Sequence, residues 1–306
     1  MSKIQSVGFI GLGIMGDGMS RCLLNGSPEA TLNVWNRSPA KIEKLTAEFG
    51  ADRVQSFATA AECVAASDLT FLMLSTPEAS EAVYSGPGGV LGGVSTGKML
   101  VDCATLRPQD MIGYAAAVQG KGGMFLEAPV SGSKGPAETG TLVFLASGEE
   151  QVFRAAEASF DLMGKAAHFI NTLPGSGTKM KLIVNGLMAN MLASLGESLE
   201  LAKENGVHTD TLLTVLGQGA MANPMFAMKG PNMIEGGSEA YPANFPLKHA
   251  LKDLAFSMDE LGVGTTGGYA PALAISTAAR TYYEKALGQG MGDLDFAAVA
   301  DVMKKK

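Results

Sequence analysis

Short, uninterrupted apolar runs recur through the first half of the sequence: SVGFIG, TLNVWN, DLTFLMLS, KMLVDCAT, GMFLEAPV and TLVFLASG, with helical periods between them. A strand with one wet face alternates apolar and polar residues, whereas a strand covered by helices on both faces reads as a continuous apolar run. The pattern therefore predicts parallel βαβ units and a doubly wound α/β sheet that ends near His168, Phe169 and Ile170. After NTLPGSG the text changes. From about Thr178 to Asn205 one pattern holding Leu182, Leu187, Met188, Met191, Leu192, Leu195 and Leu199 reads as a single, largely buried helix. The remainder shows helical periods broken by Gly and Pro in NGVHTD, ANPMF, KGPNM, YPANFP and GVGTTGGYAP, with no strand pattern. Two domains follow, 1–174 and an all-helical 175–306 that begins with the long interdomain helix.

The first run leads directly into GLGIMG, which places Gly11, Gly13 and Gly16 in the GxGxxG spacing between a predicted strand and a predicted helix. In that context Gly11 permits a tight turn, Gly13 lets backbone approach a pyrophosphate, and Gly16 allows close helix packing. The intervening Leu12, Ile14 and Met15 complete the loop, and the helix N-terminus supplies amide donors and partial positive charge. The expected fold is thus of the Rossmann type, with a dinucleotide as ligand. About 20 residues on, where an NAD-binding chain carries Asp or Glu for the ribose 2′-hydroxyl, stand Asn36, Arg37 and Ser38, with Lys41 one turn into the next helix. A carboxylate would repel a 2′-phosphate, and these donors accommodate one, so NADP(H) is expected over NAD(H).

Charge and composition remove other classes. The net charge is −7, and the one block of like charge is Lys304, Lys305 and Lys306, so nucleic-acid binding is disfavoured. Cys22, Cys63 and Cys103 are odd in number and widely spaced, which argues against a disulfide framework and fits a reducing compartment. His168, His208 and His249 lack metal-ligand spacing, and no metal is expected. No apolar stretch of about 18 residues runs uninterrupted and MSKIQS precedes the first strand without a signal region, so the chain reads as cytoplasmic and not membrane-bound; a removed organellar transit peptide would leave no trace.

In GSGTKMKLIVN, residues 175–185, successive helical residues turn by about 100°, so Lys181 and Asn185 share a face while Lys179 points roughly opposite to Lys181. With GLGIMG, NRS, EAPVSGS and GxGxxxKxxxN in this order, the chain resembles the β-hydroxyacid dehydrogenase family along essentially its whole length. LIVN after the lysine, ANPMF, FPLKH with KD, and GDLDFAAV look like its plant-type glyoxylate/succinic semialdehyde reductase branch. The resemblance implies a fold similar to 6-phosphogluconate dehydrogenase, with substrate bound between the domains. It implies NADPH-dependent reduction of small aldehyde acids, glyoxylate to glycolate and succinic semialdehyde to 4-hydroxybutyrate. It selects Lys181 as general acid and Asn185 as its companion, places Thr105 at the nicotinamide, Leu74 and Ser75 on the adenosine side and Lys252 on the cofactor, and makes Phe245 a pocket wall and Asp253 an orienter.

Small aldehyde acids carry a carboxylate, for which Ser131, Gly132 and Ser133 in PVSGSKGPAETG offer hydroxyls and amides after a strand. The same residues also make ordinary loops. Read without the family, FPLKHALKDL is a helix start with a solvated, charged face. Rival readings are a tartronate semialdehyde reductase, a 3-hydroxyisobutyrate dehydrogenase, an imine reductase, and a non-catalytic NADP-binding interaction module; Lys181 argues against the last two. The apolar long helix suggests an interface, and a homodimer or homotetramer is expected.

Overall fold

The apolar runs fold as strands of one nine-stranded sheet in the computed structural model, which describes residues 4–27, 29–262 and 272–303. The strands are β1 (Val7–Ile10), β2 (Leu32–Trp35), β3 (Val54–Ser56), β4 (Leu69–Leu72), β5 (Met99–Asp102), β6 (Met124–Glu127), β7 (Val130–Ser131), β8 (Leu142–Gly148) and β9 (Gly164–Asn171). Their order is β3-β2-β1-β4-β5-β6-β8-β7, with β9 paired to β8. The first six are parallel and follow the doubly wound order, whose switch point lies where β1 meets β4.

Alternate residues of each central strand enter opposite cores. Phe9, Phe71, Val101 and Leu126 join one cluster, under the helix Ile14–Gly26. Their neighbours Ile10, Leu72, Leu100 and Phe125 join the other, under the helix Pro108–Gln119. Burial on both faces is why the runs are continuous in the sequence.

Two features go beyond the parallel units expected from the sequence. β3 is an additional edge strand, and β8 runs antiparallel to both β6 and β7. Between β6 and β8 the chain places β7 and the five-residue helix Lys134–Glu138, not the long helical crossover that a parallel return needs.

The structure divides into two compact units, Met1–Lys181 and Leu182–Lys306. The helix Ser176–Glu204 begins in the first and continues into the second. By length and composition it could cross a membrane, but half of its most apolar window is buried inside the protein. In the second unit Ala189, Leu192, Leu195 and Leu199 of this helix pack with Phe226, Leu247, Leu254, Tyr283 and Phe296. Among the described residues this unit is helical apart from one isolated bridge between Pro246 and Asp295. Most of GVGTTGGYAP, and Lys304, Lys305 and Lys306, lie outside the described residues.

Candidate active site

The glycine loop is shaped by what each glycine meets. Gly11 has φ +97°, and a Cβ there would lie 2.4 Å from the Met73 carbonyl oxygen just past β4. At Gly16 a Cβ would lie 1.9 Å from the Gly11 carbonyl oxygen, so only glycine lets the helix start this close to the turn. Gly13, the N-cap of the helix Ile14–Gly26, has nothing within 4 Å of a built Cβ. Open space in front of a helix N-terminus with its amides exposed is the cradle a pyrophosphate fits.

Beside this loop, Asn36 at the end of β2 accepts the Leu12 amide through Oδ1 at 2.9 Å and donates Nδ2 to the Ser38 carbonyl at 2.9 Å. Its amide therefore ties the glycine loop to the turn that follows β2. Arg37 and Ser38 are exposed in that turn, where Ser38 immediately precedes the helix Pro39–Phe49, and Lys41 is exposed in its first turn. Leu74 packs 3.2 Å from the position of a Gly11 Cβ, and Ser75 stands exposed next to it. Thr105 is half-buried in the loop after β5. Apart from Lys41 in the following helix, these residues lie at or just past carboxyl ends of strands, the edge where open α/β sheets hold ligands.

Two buried carboxylates close the same edge. Asp102 and Glu127 are in register on β5 and β6, and both are fully buried. Asp102 accepts the Tyr84 hydroxyl at 2.9 Å and the Ala104 amide at 2.9 Å, which shapes the turn leading to Thr105. Burial, with the nearby Glu127 charge adding, pushes its pKa up to about 6 against the hydrogen bonds that pull it down. Glu127 accepts the Ser147 hydroxyl, the Gly177 amide at 2.8 Å, the Thr178 amide at 3.3 Å and the Thr178 hydroxyl at 2.6 Å. Burial raises its pKa as well. Sequence reasoning assigned neither residue a role. The signal was there: each is a lone charge ending an otherwise apolar strand, and a buried charge requires partners.

Lys181 stands one turn into the helix that Glu127 holds and is 6% exposed, whereas Lys179 is half-buried and Met180 is exposed. The start of this helix lies close against the sheet. Gly175 has φ +94°, and a Cβ on Gly177 would lie 2.2 Å from the Leu145 carbonyl oxygen of β8, so the first turn sits directly on the sheet. In the loop expected to hold a substrate carboxylate, Ser131 ends β7, Gly132 has φ +132° with a Cβ position 2.7 Å from Leu142, and Ser133 precedes the helix Lys134–Glu138.

In the second unit, Asn185 is buried and donates Nδ2 to Asp253 Oδ2 at 2.7 Å. Asp253 Oδ1 lies 3.2 Å from the Lys252 ammonium, an ion-pair distance without a hydrogen bond. The Asn185 Oδ1 is a buried acceptor with no hydrogen-bond partner among the described residues. Phe245 packs edge-on against Phe296, with ring centroids 5.3 Å apart, and its amide donates to Asp295 Oδ2 at 3.2 Å. Asp295 in turn pairs with the buried Lys229 at 2.7 Å. This hub was also missed in the sequence, because its partners are 66 positions apart. Among the described residues no cluster of three His, Cys, Asp or Glu could hold a metal. Burial pushes the Cys103 thiol well up, as expected of a small buried hydrophobe.

Comparison with known proteins places this geometry. Residues 6–173 match the family model described as the NAD binding domain of 6-phosphogluconate dehydrogenase. Residues 175–303 match the NAD-binding domain of NADP-dependent 3-hydroxyisobutyrate dehydrogenase. The chain is 42% identical over 300 residues to glyoxylate/succinic semialdehyde reductase 1 of Arabidopsis thaliana, covering 98% of this chain and 99% of that protein. It is 38% identical to the chloroplastic reductase 2 of the same plant, covering 98% of this chain and 79% of that protein. The fold matches a 3-hydroxyisobutyrate dehydrogenase of Mycobacterium tuberculosis with a TM-score of 0.83 at 24% identity, covering 99% of this chain and 100% of that one. The chain is an oxidoreductase of the NAD(P)-binding β-hydroxyacid dehydrogenase family.

Proposed function

We propose that this protein reduces short aldehyde acids with NADPH, glyoxylate to glycolate and succinic semialdehyde to 4-hydroxybutyrate, with Lys181 as general acid. The observation that carries this reading is a lysine 6% exposed at the start of a helix seated on the carboxyl edge of a dinucleotide-binding sheet. The near full-length identity to a glyoxylate/succinic semialdehyde reductase supports the substrate class.

Bound NADPH supplies the hydride that reaches the aldehyde carbon. As that bond forms, the carbonyl electron pair moves onto oxygen, and Lys181 stabilises the developing charge and delivers its proton there. Asn185, its amide nitrogen held by Asp253, offers its carbonyl oxygen as an acceptor that orients the Lys181 ammonium or meets the hydroxyl formed on the substrate. Ser131, Gly132 and Ser133 hold the substrate carboxylate, and Phe245 forms an apolar wall. On the cofactor, Leu12, Gly13, Ile14 and Met15 cradle the pyrophosphate. Arg37, Ser38 and Lys41 would hold the 2′-phosphate, Leu74 and Ser75 the adenosine side, Thr105 the nicotinamide end, and Lys252 would add a contact to the dinucleotide. Asn36 serves indirectly, by fixing the glycine loop. Three free cysteines support a reducing, cytoplasmic setting, and exposed Ile183 and Leu187 support a homo-oligomer.

The test is steady-state turnover of glyoxylate, succinic semialdehyde and tartronate semialdehyde with NADPH and NADH, alongside 3-hydroxyisobutyrate oxidation. The highest kcat/KM is expected for the first two with NADPH. Turnover confined to 3-hydroxyisobutyrate or tartronate semialdehyde would move the protein to those substrates.

A further inference from the structure

The amine proposed as proton donor must be held in place, and the structure shows what holds the helix that carries it. The first four amides of a helix have no partner within it. Here Glu127, fully buried at the end of β6, takes two of them, from Gly177 and Thr178, together with the Thr178 hydroxyl. The Gly177 amide also reaches Ser147 Oγ at 2.9 Å, and that hydroxyl donates to Glu127 in turn. Every donor in this cluster belongs to the sheet edge or to the first helical turn. A helical side chain leans back toward the N-terminus, over the turn preceding its own Cα. Lys181, four residues beyond Gly177, therefore leans over the turn that Glu127 grips. The carboxylate also places negative charge at the positive end of the helix dipole.

We propose that Glu127 is a positioning residue for Lys181: it fixes the first turn of the helix on the sheet edge and so sets where the ammonium stands. The proposal rests on the reading of Lys181 as general acid. A donor displaced by about 1 Å can cost about 10²-fold in rate, so loosening this turn should appear in kcat before it appears in binding.

The test compares Glu127→Gln in the wild-type and Lys181→Ala backgrounds, reading kcat and KM for succinic semialdehyde reduction, NADPH affinity by fluorescence, and thermal unfolding. Glu127→Gln should lower kcat by about 10-fold or more, with KM and NADPH affinity within about 2-fold, because glutamine keeps one acceptor but turns a donor toward the turn's own donors. In the Lys181→Ala background it should lower kcat no further. An equal fold-loss in both backgrounds, or an unchanged kcat in the first, overturns the proposal. Should Glu127→Gln fail to fold, Thr178→Val removes one donor and should give a loss of about 3-fold to 10-fold that likewise vanishes without Lys181; equal losses overturn it. Near-normal turnover of Lys181→Ala alone defeats the general-acid reading, and this proposal with it, before Glu127 is touched.

Discussion

Arg37 is exposed at the end of β2, so replacing it tests cofactor choice with little disturbance of the fold. A charge-assisted hydrogen bond contributes about 1.5–3 kcal/mol. Arg37→Ala should raise KM for NADPH about 10-fold or more and leave KM for NADH within about 2-fold, measured by initial rates with each cofactor. Gly16 is the opposite case, since any side chain there collides with the Gly11 carbonyl. Gly16→Ala should cost about 1–3 kcal/mol, the range of overpacked positions, and weaken NADPH binding, read by thermal unfolding with and without cofactor. At this scale the sequence was informative where chemistry and spacing coincide. GxGxxG was legible from its spacing between a strand and a helix pattern, and the shared face of Lys181 and Asn185 from helical periodicity, with Lys181 more buried than Lys179 in keeping with the same 100° rotation; their selection as site residues came from the family resemblance. Glu127 was hidden because its role depends on Gly177 and Thr178, about 50 residues downstream, meeting the end of β6.

Strands and helices were legible as far as their burial wrote itself into the text. β3 escaped because only Val54 of its three residues is buried, as befits an edge. The direction of β8 escaped because a strand buried on both faces reads the same whether parallel or antiparallel. Where β5 and β6 end, Asp102 makes a pH-dependent prediction. Burial raises its folded pKa to about 6 from an ordinary 3.8, so between those values the native state binds more protons than the unfolded chain. Stability should therefore fall as pH rises from about 4 to about 6 and level off above. Asp102→Asn should flatten that slope in denaturant titrations across pH, leaving a remnant from Glu127, which is raised in the same direction. In the helical unit, the Lys229–Asp295 pair joins the helix Pro224–Glu235 to the turn carrying Phe245. Lys229→Met leaves a buried carboxylate uncompensated and should cost about 3–5 kcal/mol in denaturant unfolding.

For the whole molecule, the change of text after NTLPGSG separates a sheet-bearing region from a helical one, as the fold does. The sequence could not show that the boundary between the compact units falls inside one continuous helix, between Lys181 and Leu182, because a helix that serves two cores has a single unbroken period. The exposed apolar residues Ile183, Leu187 and Leu201 on that helix lead us to expect a homodimer or homotetramer, which light scattering coupled to size exclusion measures. The central claim is that the Lys181 ammonium protonates the carbonyl oxygen as hydride arrives. Its most direct test is the single-turnover rate of succinic semialdehyde reduction by Lys181→Ala preloaded with NADPH. The account predicts a loss of at least about 10²-fold with NADPH affinity unchanged. A rate within a few-fold of wild type would contradict it.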